Sequence, residues 1–207
     1  MGFHTFDPEK AAKLEDAGER YRYCSREELL GALAPEADWD VADLGSGTGF
    51  YTDDVAPHVA HVHAVDVQDV MHDAYREKHA PSGGSERNER TRRDATREPN
   101  GIPDNVDLVT ADVADLPLDD ASLDGAVSTM TFHEFASEDS LAELARVLRD
   151  GARLAVVDWS AAGDGVDGPP VDERYDATDA DSLLTAAGFT VERADERVET
   201  FALTAVR

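Results

Sequence analysis

The segment Val41-Ala42-Asp43-Leu44-Gly45-Ser46-Gly47-Thr48-Gly49 joins an apolar run, interrupted by one carboxylate, to three glycines at alternate positions. That pattern suits a strand turning sharply into a helix. Glycine tolerates the left-handed backbone of such a turn and lets a ligand approach closely, and the helix that follows offers unpaired N–H groups. A nucleotide-like ligand is the chemistry it serves. Dinucleotide binding would need a further glycine at position 50, where Phe50 stands, and Asp53 and Asp54 occupy the turn a pyrophosphate would face. The phosphate loop of nucleotide hydrolases needs Lys-Ser or Lys-Thr after its glycines, and neither follows.

Seventeen positions beyond Gly49, the run His63-Ala64-Val65 ends in Asp66-Val67, a carboxylate able to accept both hydroxyls of a ribose. Ala111-Asp112-Val113 supplies another acid after a later apolar run. If these runs are parallel strands, both acids gather at one carboxyl edge. Thr129, Met130, Thr131, Phe132, His133 and Glu134 follow a fourth run, and Asp158 and Trp159 follow a fifth. His133 is the best candidate for a general base, with a polar loop histidine as the alternative. Tyr21, Tyr23 and Phe50 are available to wall a pocket or to pack against neighbouring helices. His58, His61 and His63 crowd together, but no acidic or cysteine ligand accompanies them at a fixed spacing, so no metal is expected. His133-Glu134 does not begin a zinc-binding HExxH, since position 137 is serine.

The elements that must position these residues follow from periodicity. Val41 to Leu44, His61 to Val65, Val106 to Val109, Leu123 to Val127 and Leu154 to Val157 read as strands. Helical signals alternate with them, the mark of a parallel sheet covered by helices. Ser137 reads as the N-cap of a helix with Leu141, Leu144, Ala145 and Leu148 on one face and Gly151 as its stop. Thr178 to Ala187 repeats that grammar before Gly188. Phe189 to Arg193 and Phe201 to Val206 are joined by too few residues for a crossover helix and should pair antiparallel. Residues 1–40 are helical in pattern around Glu9 to Glu19 and Ser25 to Leu33 and read as a cap. Ala80 to Gly101 carries Pro81, Gly83, Gly84, Pro99 and five arginines without an apolar residue larger than alanine, and reads as a flexible insertion.

Taken together, the DLGSGTG turn, the AVDV strand end, Ala111-Asp112-Val113-Ala114-Asp115-Leu116-Pro117 and Leu123-Asp124-Gly125-Ala126-Val127-Ser128 resemble the class I S-adenosylmethionine-dependent methyltransferases. The likeness is greatest to the small-molecule branch that includes the ubiquinone and menaquinone biosynthesis enzymes, and it spans roughly Val41 to Phe189. It implies a Rossmann-like three-layer α/β sandwich, with a mostly parallel seven-stranded sheet and an antiparallel last strand, filling one domain over 1–207. It further implies that Asp43, Gly45, Ser46, Gly47 and Gly49 hold the methionine end of S-adenosylmethionine. Asp66 would meet the ribose, with Val67 beside it in the cofactor site, and Asp112 with the Val113 backbone the adenine. Ser128 would lie near the methionyl carboxylate or the acceptor. The expected reaction is methyl transfer to a small-molecule acceptor, with His133 as base. RNA or protein methylation and a non-catalytic S-adenosylmethionine-binding regulator are the alternatives. The insertion at 80–101 departs from the family's usual short connection. The Asp/Asn-Pro-Pro-Tyr motif is missing after the fourth strand, which disfavours methylation of base amino groups, and the single Cys24 disfavours arsenite chemistry.

Composition narrows the setting. The 207 residues carry 45 acidic against 19 basic side chains, a net charge of −26 at pH 7, with Lys10, Lys13 and Lys78 as the lysines. Such self-repulsion is relieved in molar salt, where the Debye length falls to about 3 Å. The composition resembles that of cytoplasmic proteins from salt-accumulating halophiles. Nucleic acid is a poor partner for this surface, so none is expected. Met1 to Lys10 lacks the basic start of a secretory signal, and no run approaches the roughly 18 apolar residues that span a bilayer, so a cytoplasmic location is expected. Thermal stability should therefore rise steeply with potassium chloride. A melting temperature that stays flat or falls between dilute buffer and molar salt would remove the halophile reading.

Overall fold

Strand residues two apart share a face, and here both faces are apolar, so each had to be covered. The computed structural model describes residues 8–80 and 101–207. The insertion expected at Ala80 to Gly101 lies, for residues 81–100, outside those described. Ahead of the sheet come a 3-10 helix (Pro8–Glu15), α1 (Ala17–Tyr23) and α2 (Arg26–Leu33). Then follow β1 (Asp40–Leu44), α3 (Phe50–Val55), β2 (His61–Asp66), α4 (Asp69–His79), β3 (Val106–Thr110), β4 (Leu123–Thr129), α5 (Phe132–Phe135), α6 (Glu138–Val147), β5 (Leu148–Trp159), α7 (Ala177–Ala186), β6 (Thr190–Glu196) and β7 (Thr200–Val206).

The sheet order is β3-β2-β1-β4-β5-β7-β6. Strands β1 to β5 run parallel to their neighbours, and β7 alone opposes β5 and β6, as the short Phe189 to Val206 connection predicts. On one face Ala42, Leu44, Val65, Ala126, Leu154 and Val156 pack beneath α6 and α7 through Leu141, Leu144, Ala180 and Leu184. On the other, Val41, Val62, Ala64, Val127 and Val157 pack against α2, α3 and α4 through Leu29, Leu33, Tyr51, Val55 and Tyr75. Full burial of a leucine such as Leu144 contributes about 1.5–3 kcal/mol.

Helix ends follow short polar side chains. Ser25 accepts from the Glu28 N–H, Ser137 from that of Ser140, and Asp176 with Asp179 forms a reciprocal capping box at α7. Two expectations need correction. The helix expected over Glu9 to Glu19 is divided, because Asp16 caps the N–H groups of Gly18 and Glu19 and restarts the chain as α1. The helix begun at Ser137 ends at Val147: Leu148 turns extended and pairs with Leu123, so Gly151, at φ +82°, kinks β5 instead of ending α6. The consequence for function is the reversal of strand order between β1 and β4, which opens a crevice at the carboxyl ends of those strands.

Candidate active site

A cavity of about 450 Å³ fills that crevice, within the roughly 300–1,000 Å³ typical of small-molecule sites. Its floor is the glycine turn after β1. Gly45, Gly47 and Gly49 have φ of +71°, +55° and +73°. Two of them are also confined in space. A side chain at Gly45 would put its Cβ 2.6 Å from Thr131 Oγ1, and one at Gly49 would put its Cβ 2.5 Å from the Tyr75 ring. The Gly45 and Ser46 N–H groups donate to the Val65 carbonyl at 2.9 and 2.8 Å, stitching the turn to the end of β2.

Asp66 completes that join. One carboxylate oxygen accepts from the Gly47 N–H and the other from the Gln68 N–H, both at 2.8 Å. It lines the cavity while only 9% exposed, and each oxygen keeps a lone pair for a ligand hydroxyl. Val67, Met71 and Val113 supply apolar wall beside it, and Asp112 stands at the same edge with Oδ1 taken by the Ala114 N–H at 2.9 Å.

Of the residues expected to hold the cofactor, Gly45, Ser46, Gly47, Asp66, Val67, Asp112 and Val113 line this cavity together. Asp43, Gly49 and Ser128 are not part of its lining and act from behind it. Asp43 accepts from Thr52 Oγ1 at 2.6 Å, and burial pushes its carboxyl up to about 6 against the opposing pull of Thr52 and Arg20. Its other oxygen has no hydrogen-bond partner among the described residues. Ser128 is fully buried, with Oγ 3.1 Å from Thr131 Oγ1, which itself donates to the Leu44 carbonyl.

The roof comes from the N-terminal helices. Leu14 and Arg20 line the cavity, and Glu15 holds the roof down by accepting from the Thr48 hydroxyl and pairing with Lys78 at 3.3 Å. The Arg20 guanidinium lies 4.7 Å from the Tyr51 ring centroid, and its Nε is buried without a partner among the described residues, as is Ser46 Oγ. These two orphaned donors fit an anionic group such as a carboxylate placed over the glycine turn. Arg20 escaped sequence reading because one arginine in a capping helix carries no motif; the adjacent aromatic residues were its only signal. Of those, Phe50 lines the cavity, whereas Tyr21 donates to Asp54 and Tyr23 packs on Trp159 at 4.7 Å.

At the far end Thr129, Met130, Thr131 and Glu134 line the wall. Met130 takes the left-handed φ of +62°, backbone strain of a kind that clusters at functional sites. Phe132 is instead core, and Asp158 is fully buried. His133 lies behind the wall, its side chain 8% exposed, with Nδ1–H donating to Asp158 at 2.9 Å and Nε2 turned toward Glu134 Oε1 at 3.8 Å. Asp158 also accepts from the backbone N–H groups of His133, at 2.6 Å, and Trp159, at 2.8 Å. Burial pulls the imidazole's affinity for a proton down, but the Asp158 charge and hydrogen bond outweigh it and the net shift is upward. Burial raises the Glu134 carboxyl to about 7, opposed by His133 and reinforced by Asp158. The group that meets the cavity is therefore Glu134, with His133 and Asp158 in line behind it, an order the sequence could not reveal because it depends on which side of a one-turn helix faces inward.

Residues 42–156 match the family described as a methyltransferase domain. The O-methyltransferase cnsE of Penicillium expansum is 29% identical over 196 residues, covering 89% of this chain and 63% of its own length. A demethylmenaquinone methyltransferase of Clavibacter sepedonicus is 30% identical over 130 residues, 62% of this chain and 44% of that one. The chain thus spans about half the length of these curated relatives. Among solved structures, an S-adenosylmethionine-dependent methyltransferase from Aquifex aeolicus superposes with a TM-score of 0.78 at 29% identity, covering 97% of this chain and 98% of that one.

The raised Glu134 carboxyl has a consequence for stability. Between its unfolded value of 4.5 and its folded value of about 7 the native state binds more protons than the unfolded chain, so this group lowers stability as pH rises through that window. Glu134→Gln should raise the melting temperature at pH 8 by about 3–6 °C, corresponding to about 1–2 kcal/mol, and leave it nearly unchanged at pH 4. Thermal melts at the two pH values check the difference.

Proposed function

The chain belongs to the methyltransferase domain family, and on that premise we propose that it moves the methyl group of S-adenosylmethionine onto a small-molecule acceptor held beneath the N-terminal helices. The observation that carries this reading is the roofed cavity. The glycine turn and Asp66 lie at one end, Glu134 at the other, and Leu14, Arg20 and Phe50 close it over. The space suits a cofactor and a compact acceptor better than a polymer, and a net charge of −26 disfavours nucleic acid. The acidic surface fits a salt-rich cytoplasm, and residues 1–40 serve as the cap of one methyltransferase domain.

In this reading Asp66 accepts the ribose hydroxyls, and Val67, Met71 and Val113 enclose the adenine with Asp112 at its edge. Arg20 Nε and Ser46 Oγ hold the methionyl carboxylate. Asp43, Gly49 and Ser128 keep the turn in place from beneath. When bound, the cofactor supplies an electrophilic methyl group on a sulfonium. The protein's part is to align the acceptor and exclude water, which in well-oriented systems accounts for about 7–11 kcal/mol of barrier. Where the acceptor carries a proton, Glu134 receives it at the cavity wall, and His133 Nε2, with its tautomer set by Asp158, is the base behind it.

Incubation with labelled S-adenosylmethionine and fractionated cell extract tests the proposal. Label should enter a low-molecular-mass product; label in RNA or protein would overturn the acceptor class, and bound cofactor without turnover would point to a regulator. Asp66→Ala should weaken cofactor binding by roughly 100-fold or more in calorimetry, because two charge-assisted hydrogen bonds of about 1.5–3 kcal/mol each are lost. His133→Ala should lower turnover by about 10²–10⁴-fold with cofactor affinity nearly intact. The wild-type rate should fall as pH drops below neutrality, following protonation of Glu134 and His133. Near-normal turnover in His133→Ala would end the base assignment.

A further inference from the structure

At the other end of β2 from the cavity, one face of the sheet is only half covered. Among the described residues no helix separates β3 from β4. The connecting chain lays Val113, Leu116 and Leu118 against Leu44, Val65 and Val109, toward the carboxyl ends of the strands. His61 and His63, two residues apart on β2, share the face of Val65 at the amino end, and Asp107 lies directly across from His63 in the parallel register of β3. The imidazoles stand 4.7 Å apart between centroids, and His61 Nε2 is 3.1 Å from Asp107 Oδ2. One donor atom from each of the three residues lies within 4.8 Å of the others.

The His61–Asp107 contact alone would be a surface ion pair. The His63 imidazole, however, makes no hydrogen bond among the described residues and sits edge-on to a second imidazole. Asp40, opposite His61 on β1, adds negative charge on the same side. Donors around a tetrahedral ion stand about 3.3 Å apart, given ligand bonds of about 2.0–2.1 Å, so small side-chain rotations close the present spacing. Two imidazoles with one carboxylate select a borderline transition metal over magnesium or calcium.

We propose that His61, His63 and Asp107 form a binding site for a divalent transition-metal ion of the zinc or nickel class, which clamps the edge strand β3 to β2. The sequence concealed the site because its acidic ligand comes from a strand more than forty residues away. Position along β2 separates it from cofactor chemistry, since His61 begins the strand that Asp66 ends.

The test is calorimetric titration of the full chain with zinc chloride in molar potassium chloride, with excess magnesium to occupy the general acidic surface. One zinc per chain is expected, together with a rise in melting temperature. His61→Ala and His63→Ala should each weaken uptake at least tenfold, and the double variant His61→Gln/His63→Gln should abolish both uptake and the thermal shift. Cofactor affinity should stay unchanged in all of them. Absence of stoichiometric zinc uptake would overturn the proposal. So would uptake that persists in the double variant, provided its circular dichroism matches the metal-free wild type.

Discussion

The Asp66 carboxylate holds two backbone segments at once. By accepting from the Gly47 and Gln68 N–H groups it ties the turn after β1 to the end of β2, and the Val65 carbonyl reinforces the join by taking the Gly45 and Ser46 N–H groups. Everything else at the crevice is placed relative to this knot. The turn can approach β2 this closely only because Gly45 leaves room for the Thr131 side chain and Gly49 for the Tyr75 ring. Those two neighbours come from the entry of α5 and the middle of α4, so four separate stretches of chain meet at one glycine-rich turn. With one N–H on each oxygen, the carboxylate still has lone pairs directed to the cavity, so a single side chain joins the architecture of the turn to its open face.

Much of this was legible from local pattern. The approximate limits of the first four strands, the capping serine Ser137, the antiparallel final pair and the gathering of Asp66 and Asp112 at one edge all follow from periodicity and short motifs. What escaped was determined by tertiary neighbours. Leu148 has the apolar character of one more helical turn, but its pairing with Leu123 makes it strand. Asp16 lies within a helical stretch, and only its caps to Gly18 and Glu19 show it to be a break. Arg20 and Glu134 face the cavity because of the angle at which their short helices pack, a quantity no local pattern encodes. That His133 follows the fourth strand was legible, whereas its retreat behind Glu134 was not.

The interior poses a problem peculiar to so acidic a chain. Asp43 and Asp158 are buried and Glu134 is half-buried; the Asp66 charge opposes ionisation of both Asp43 and Glu134, and Asp158 adds to it at Glu134. Each is managed differently. Asp158 is surrounded by N–H donors and an imidazole. Asp43 leans on Thr52 and on the field of Arg20. Glu134 holds its proton to near neutrality. Burial thus raises the proton affinity of Asp43 and of Glu134, each against a different set of opposing neighbours.

The end of α4 and the return of the chain toward β3 converge on one point. Gly101, at φ +85°, brings its backbone against the His79 carbonyl so closely that no Cβ could be accommodated there. Because departure and return share that point, the sheet registers no difference between a short connection and a long one, and the closure entropy of extra residues grows only with the logarithm of their number. The junction is thus a natural grafting port. A reporter domain or affinity sequence whose own ends lie close together could be spliced between positions 81 and 100 with β3 kept in register.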